Sequence, residues 1–254
     1  MSAYDVVLKS REKGRPTAVR YISNIVEGFI ELHGDRRFAD DRAVIGGVGT
    51  IGGSPVTVIG IEKGEDTATR LAHNFGCANP EGYRKAVRLM KEAEKFHRPV
   101  LCFVDTSGAY CGIGAEERGQ SEAIAMSIME MIRLKTPTLS IIIGEGGSGG
   151  ALGLCAADEV WITETATYSV ISPEGCASIL WKDSSKVAEA SECLKMTAED
   201  LAKLGAVEEV IPENGFTDAF YAGLKEKIAA FFAEKKAVPA EELVEARYRR
   251  FRKF

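Results

Sequence analysis

The chain has 254 residues and a formal net charge of −5, with 45% hydrophobic and 27% charged residues. That is long enough to bury a sizeable core, and an acidic balance gives no reason to expect DNA or another nucleic acid as partner. No apolar run approaches the roughly 20 residues a membrane helix needs, and the opening MSAYDVVLKSREKG is too polar for a secretory signal.

In chain order, Ala18, Ile22, Ile25 and Phe29 recur at helical spacing and predict a helix over 17–33, stopped by Gly34. AVIGGVGTIGG and SPVTVIGIE then read as two strands, with Gly52-Gly53 marking a hairpin. A helix is expected from Pro80 to Phe96. RPVLCFVD is a nearly continuous apolar strand, expected to be buried on both faces. It runs into the loop TSGAYCGIG and a helix over 115–134. A second apolar strand, TPTLSIII, ends in the stretch GEGGSGGALG, followed by a short helix from about 149 to 157 and the strand EVWITE. Helical patterns close the chain at 216–235 and after Pro239. Strand, glycine-rich loop and helix recur without a linker, so one α/β domain over 1–254 is expected, with helical segments at 1–34 and 216–254. The basic end RYRRFRKF reads as a solvated helix end that complements the dipole.

Cysteines stand at 77, 102, 111, 155, 176 and 193, with no C-x-x-C pair. They read as reduced, mostly buried thiols of a cytosolic protein, and a zinc ribbon in this chain is excluded. The expectation is that this chain binds no metal.

Six glycines fall between Gly144 and Gly153, and three chemistries use such a loop. Gly144-x-Gly146-x-x-Gly149 matches a dinucleotide fingerprint, with Glu164 20 residues after Gly144. This would make the protein an NAD-binding oxidoreductase, but Glu145 inside the loop would repel a pyrophosphate. Gly146-x-Ser148-x-Gly150 matches a nucleophile elbow. A nucleophilic serine needs a base, and His33, His73 and His97 all precede it, so the hydrolase order Ser…Asp/Glu…His fails, while the orders with His before Ser stay open. The third reading needs no side chain. Glycines at a helix N-terminus expose backbone N–H groups that can stabilise a developing oxyanion.

The text around the loop resembles the α subunit of bacterial acetyl-CoA carboxylase carboxyltransferase. The residues that carry the resemblance are ELHGDRRFADDRAVIGGV, PEGYRKAVRLMKEAEKF, GIGAEERGQSEAIA, IGEGGSGGALG and YSVISPEGCASILWK, in the family's order, together with the closing RYRRF. The resemblance covers about residues 17–254. It implies a crotonase-like (ClpP/crotonase) α/β spiral of β-β-α units. It implies carboxyl transfer from carboxybiotin, held on a separate biotin carboxyl carrier protein, to acetyl-CoA, giving malonyl-CoA. It also implies a zinc-ribbon β subunit as partner, in an α2β2 assembly. Gly149 and Gly150 would present the backbone donors to the ureido oxygen of biotin. Gly76, Gly108, Gly112 and Gly114 would lie along the substrate-binding loops. A bulky replacement at Gly150 is expected to abolish turnover and leave the fold intact. Ser107 and Cys111 stand where the family has prolines, and the long N-terminal helical extension of many members has no counterpart here. A paralogue for another acyl-CoA, or a non-catalytic assembly subunit, is the alternative within the same resemblance.

Overall fold

Helix α1 (Ala3–Ser10) starts at a reciprocal cap, in which Ser2 and Asp5 satisfy each other's backbone donors. Helix α2 (Ala18–Ile25) is half the length the spacing predicts. Its sequel is strand β1 (Glu27–Glu31), which pairs antiparallel with β2 (Val44–Ile51). Gly28, at φ +59°, is the local signal against a continuous helix. Gly47 completes the reason, because a Cβ there would lie 2.1 Å from the Ile30 carbonyl oxygen. The two strands approach only because that side chain is missing. Strand β3 (Ser54–Ile61) follows through Gly52 and Gly53, both with the positive φ a tight hairpin turn requires.

Helix α3 (Thr67–Ala72) leads to α4 (Pro80–Lys95), which has proline in its first turn, where no donor is lost. Strand β4 (Val100–Thr106) is buried along its whole length, as its apolar run requires. The expected helix over 115–134 is broken into α5 (Ile113–Glu117) and α6 (Gln120–Arg133) by Gly119 at φ +82°. Strand β5 (Thr138–Gly147) runs four residues past the last isoleucine, and α7 (Ser148–Leu152) is correspondingly short. The chain continues through β6 (Glu159–Thr163), β7 (Thr167–Ser169), α8 (Pro173–Leu180), α9 (Val187–Leu194), α10 (Ala198–Leu204) and β8 (Glu209–Ile211). Two long helices close it, α11 (Asp218–Lys236) and α12 (Ala240–Phe251).

This computed structural model describes residues 1–254. Its eight strands form one mixed sheet, ordered β1-β2-β3-β4-β5-β6-β8, with β7 paired to the far end of β5. From β3 onward every pairing is parallel. A ββα unit (β2, β3, α4) opens the succession and another (β6, β7, α8) closes it. Side chains alternate between two cores. Leu101, Phe103, Leu139 and Ile141 pack with α2 and α11, whereas Val100, Cys102, Val104 and Ile142 pack with α4 and α6. Helices on both faces explain why β4 and β5 read as unbroken apolar runs. No helix is long and apolar enough to cross a membrane.

The basic C-terminus departs from the expectation of a solvated end. Arg247 is buried, donating to Asp158 at 2.8 Å and to the carbonyls of Met131 and Leu134 at 2.7 and 2.9 Å. Arg250 is buried as well and pairs with Glu208. The carbonyls at the end of α6 have no intrahelical donors, and the guanidinium of Arg247 satisfies them. Among the cysteines, Cys102, Cys155 and Cys176 are buried, Cys77 is half-buried, and Cys111 and Cys193 are exposed; all six are free thiols.

Candidate active site at the glycine turn

Ligands of open parallel sheets sit at the carboxyl ends of the strands. Here β4 and β5 end side by side in two glycine-bearing turns, and close backbone packing joins them. A Cβ on Gly147 would lie 2.2 Å from the Ser107 carbonyl oxygen, and one on Gly150 would lie 2.5 Å from the Ala109 nitrogen. Gly144 makes room for the Asp105 carboxylate, and Gly146 for the ring of Tyr168. Most of the glycines in GEGGSGGALG are therefore explained by packing. Gly149 is different: the nearest atom to its would-be Cβ is a methyl of Ile124, at an ordinary 3.5 Å. The first N–H groups of α7 have no intrahelical acceptor. Tyr83, buried beneath the turn, donates its hydroxyl to the Gly150 carbonyl at 3.2 Å and holds the helix down.

The β4 turn is ordered from within. The Thr106 hydroxyl accepts from the Gly108 N–H at 3.0 Å and donates to the Gly108 carbonyl at 2.8 Å, with Gly108 at φ +149°. Gly76, at φ +76°, lies under the end of β4, where a Cβ would meet the Asp105 carbonyl oxygen at 2.7 Å. The Tyr110 N–H donates to the Ala78 carbonyl at 3.0 Å and ties this loop to the next. Gly76, Gly108, Gly149 and Gly150 are thus brought together. Gly112 and Gly114 lie further along, at the cap and first turn of α5, where their close neighbours are Tyr110 and Arg118.

Beneath the turns lies an ionic cluster that sequence reasoning missed. Lys63, just past β3, is 2.6 Å from Glu145 and 3.3 Å from Asp105. The Glu145 N–H donates to the same Asp105 carboxylate at 2.9 Å. Arg11 reaches Glu145 at 2.7 Å and Glu174 at 2.6 Å. Arg15 donates to the Ile143 carbonyl at 2.6 Å. Burial pushes the Glu145 carboxyl up, but Lys63 and Arg11 outweigh it and hold it below its ordinary 4.5. Burial pushes Lys63 down, and Asp105 and Glu145 outweigh that in turn, leaving it above its ordinary 10.5. The cluster joins the N-terminal segment and the ends of three strands. Its sequence signals were a lone lysine and a lone aspartate, each closing an apolar strand.

This geometry sorts the three chemistries. Gly144 and Gly146 lie within β5, not in a turn that follows it, and the Glu145 side chain is sealed by two cations. The dinucleotide fingerprint therefore lacks its loop. Ser148 does take the left-handed backbone of a nucleophile elbow, at φ +53°. Its residue is exposed, however, and no histidine reaches it. His73 bonds to the Arg42 carbonyl, and His33 pairs with Asp40. Backbone donors remain, with Gly149 as the open position. Glu174, in the first turn of α8, turns to Arg11, and the Ser172 hydroxyl caps the helix, accepting from Gly175 at 3.1 Å.

Comparisons with known proteins point the same way. The family described as "Acetyl co-enzyme A carboxylase carboxyltransferase-like" matches residues 1–254. The acetyl-coenzyme A carboxylase carboxyl transferase subunit α of Ruminiclostridium cellulolyticum is 59% identical over 254 residues, covering 100% of this chain and 98% of its own. The corresponding subunit of Streptococcus sanguinis is 55% identical, covering 98% of each. Among solved structures, transcarboxylase 12S superposes with a TM-score of 0.74 at 18% identity, over 92% of this chain and 44% of that one. The chain thus spans under half the length of that protein. The β subunit of Pseudomonas aeruginosa geranyl-CoA carboxylase gives a TM-score of 0.70 at 16% identity, over 94% of this chain and 46% of that one. These likenesses establish the crotonase-like fold.

Proposed function

The chain belongs to the acetyl-CoA carboxylase carboxyltransferase family, on its α-subunit side, and from that premise we propose how the glycine turn serves the reaction. As an α subunit it transfers a carboxyl group from carboxybiotin to acetyl-CoA, giving malonyl-CoA for fatty acid synthesis, and it acts with a β subunit. When bound, biotin would supply the carboxyl group, and the N–H groups of Gly149 and Gly150 would face its ureido oxygen and stabilise negative charge there. Donors of this kind are worth about 3–4 kcal/mol each in a water-excluded site.

The carrying observation is that a Cβ on Gly149, at the head of α7, would make only an ordinary contact with Ile124, so packing does not explain the missing side chain there. The buried cluster of Lys63, Glu145 and Asp105 fixes the strand ends on which both turns depend. Gly76 and Gly108 shape the floor beside the donors, and Gly112 and Gly114 shape the lip. The wider reading is an α2β2 heterotetramer in the cytoplasm, with a zinc-ribbon β subunit and a biotin carboxyl carrier protein as the donor's bearer.

The test is a reconstitution of this chain with a cognate β subunit, carboxybiotin and acetyl-CoA. Malonyl-CoA is the expected product, and its absence with a β subunit proven competent would sink the reading. Gly149→Ala is the diagnostic variant. Its Cβ fits the fold, 3.5 Å from a methyl of Ile124, and on this reading it crowds the group bound at the donors. Turnover is expected to fall about 100-fold, the cost of displacing a reacting group by an ångström, with the melting temperature unchanged. Retained turnover would remove Gly149 from the site.

A further inference from the structure

A strongly charged surface feature lies outside the glycine turn, on α4. Arg84, Arg88, Lys91 and Lys95 recur at intervals of four, three and four, which places them on one helical face. Together with Arg36 and Arg37 from the loop before β2, they border a groove of about 540 Å³ whose apolar floor is Val87, Ala123 and Met126. Three of the six cations are neutralised: Arg84 by Asp35 and Glu81, Arg88 by Glu92, and Lys91 by Glu130. Arg36, Arg37 and Lys95 have no carboxylate within ion-pair distance. Arg36 donates to the His33 carbonyl, and Lys95 lies over the ring of Phe96. Against them stands one free acid of the lining, Glu122. The groove is thus locally cationic on a chain whose net charge is −5.

The form of the groove favours a macromolecule over a small anion. From Arg84 to Lys95 the stripe extends about 17 Å along α4. Its charges are spread along a rim and do not converge on one point, as a phosphate pocket would require. The groove is also next to the site. Gly119, at the cap of α6, and Ala123 within α6 line it, while Ile124 of the same helix lies 3.5 Å from the Cβ position of Gly149. Only the thickness of one helix, about 10–12 Å with side chains, separates the two.

We infer that this groove is the docking surface for an acidic face of the carrier protein that brings biotin to the glycine turn. The inference rests on the carboxyltransferase reading. A carrier docked there places its prosthetic arm within one helix diameter of the donors. The unpaired cations supply steering and register, which is what rim charges do at an interface.

The experiment uses the reconstituted α–β enzyme and two donors, free carboxybiotin and carrier-linked carboxybiotin. The variant is Arg37→Glu with Lys95→Glu, both exposed residues outside the catalytic turn. KM for the carrier-linked donor is expected to rise about tenfold, with kcat and KM for the free donor unchanged. For the wild type, KM for the carrier-linked donor should climb with added salt, and for the variant it should climb less. An unchanged KM for the carrier-linked donor overturns the proposal, and so does an equal loss with the free donor. Binding of ADP or pyrophosphate to the wild type that disappears in the variant would assign the groove to a small phosphate ligand and overturn it too. If the wild type made no malonyl-CoA from either donor, the underlying reading would fail first and take this one with it.

Discussion

At the scale of single residues, the glycines of GEGGSGGALG divide by what surrounds them. A Cβ on Gly150 would collide with backbone, 2.5 Å from the Ala109 nitrogen and 2.8 Å from the Gly108 carbonyl carbon. Backbone cannot rotate away as a side chain can. Gly150→Ala is therefore expected to lower the melting temperature and turnover together, contrary to the sequence-based expectation of an intact fold. Paired thermal melts and assays of Gly149→Ala and Gly150→Ala separate the two cases: only the second should lose stability. Ser148 completes the set. Its strained φ resembles a nucleophile's, but no base is within its reach. Ser148→Ala should keep its turnover, and a collapse of activity in that variant would restore the nucleophile reading. The two glycine roles look alike in sequence because glycine spells absence, and only the neighbours say what the absence admits.

At the scale of elements, the ends of β3, β4 and β5 are held in register by one buried ionic cluster. Lys63 is its hub, and removing one partner of such a group leaves the other charges uncompensated. Lys63→Met is expected to cost about 3 kcal/mol in urea unfolding, with Lys63→Arg recovering part of it. The pH dependence follows from the shifts. Glu145 is held below 4.5 in the folded chain, so its contribution is fully present above 4.5 and is lost as pH falls through the lower, folded value. Lys63 is held above 10.5, so its contribution is present below 10.5 and is lost as pH rises through the folded value. Glu145→Gln should therefore flatten the acid limb of the melting temperature against pH. An unaltered acid limb would mean that other carboxylates govern it. This cluster was not legible in the sequence. Its members are 134, 82 and 42 residues apart, and no periodicity connects charges across such distances.

At the scale of the whole molecule, an α/β domain with strands buried on both faces was foreseen from unbroken apolar runs, and its closure by the C-terminus was not. Arg247 reads as one of several exposed basic residues, yet it is buried against Asp158 and the end of α6. Arg247→Met is expected to destabilise the protein by about 3 kcal/mol, measurable as a shift in the urea midpoint. A shift near zero would show that the last helix is dispensable to the core. The strand β1 was misread for a related reason. Amphipathic spacing over 17–33 is real up to Ile25, but the pairing of β1 with Gly47 and its neighbours in β2 outweighs local propensity beyond it.

By itself the sequence determined what is written in local order: the hairpin at Gly52-Gly53, the buried strands β4 and β5, the helix after Pro80, and the motif blocks that carry the family. Period and composition act over a few residues, and that is the range in which they can be read. Tertiary structure alone decided which glycine is open, which acid is sealed and which arginine is buried. Those outcomes depend on atoms brought together from distant parts of the chain, where a few ångströms of packing convert the same residue from spacer to site.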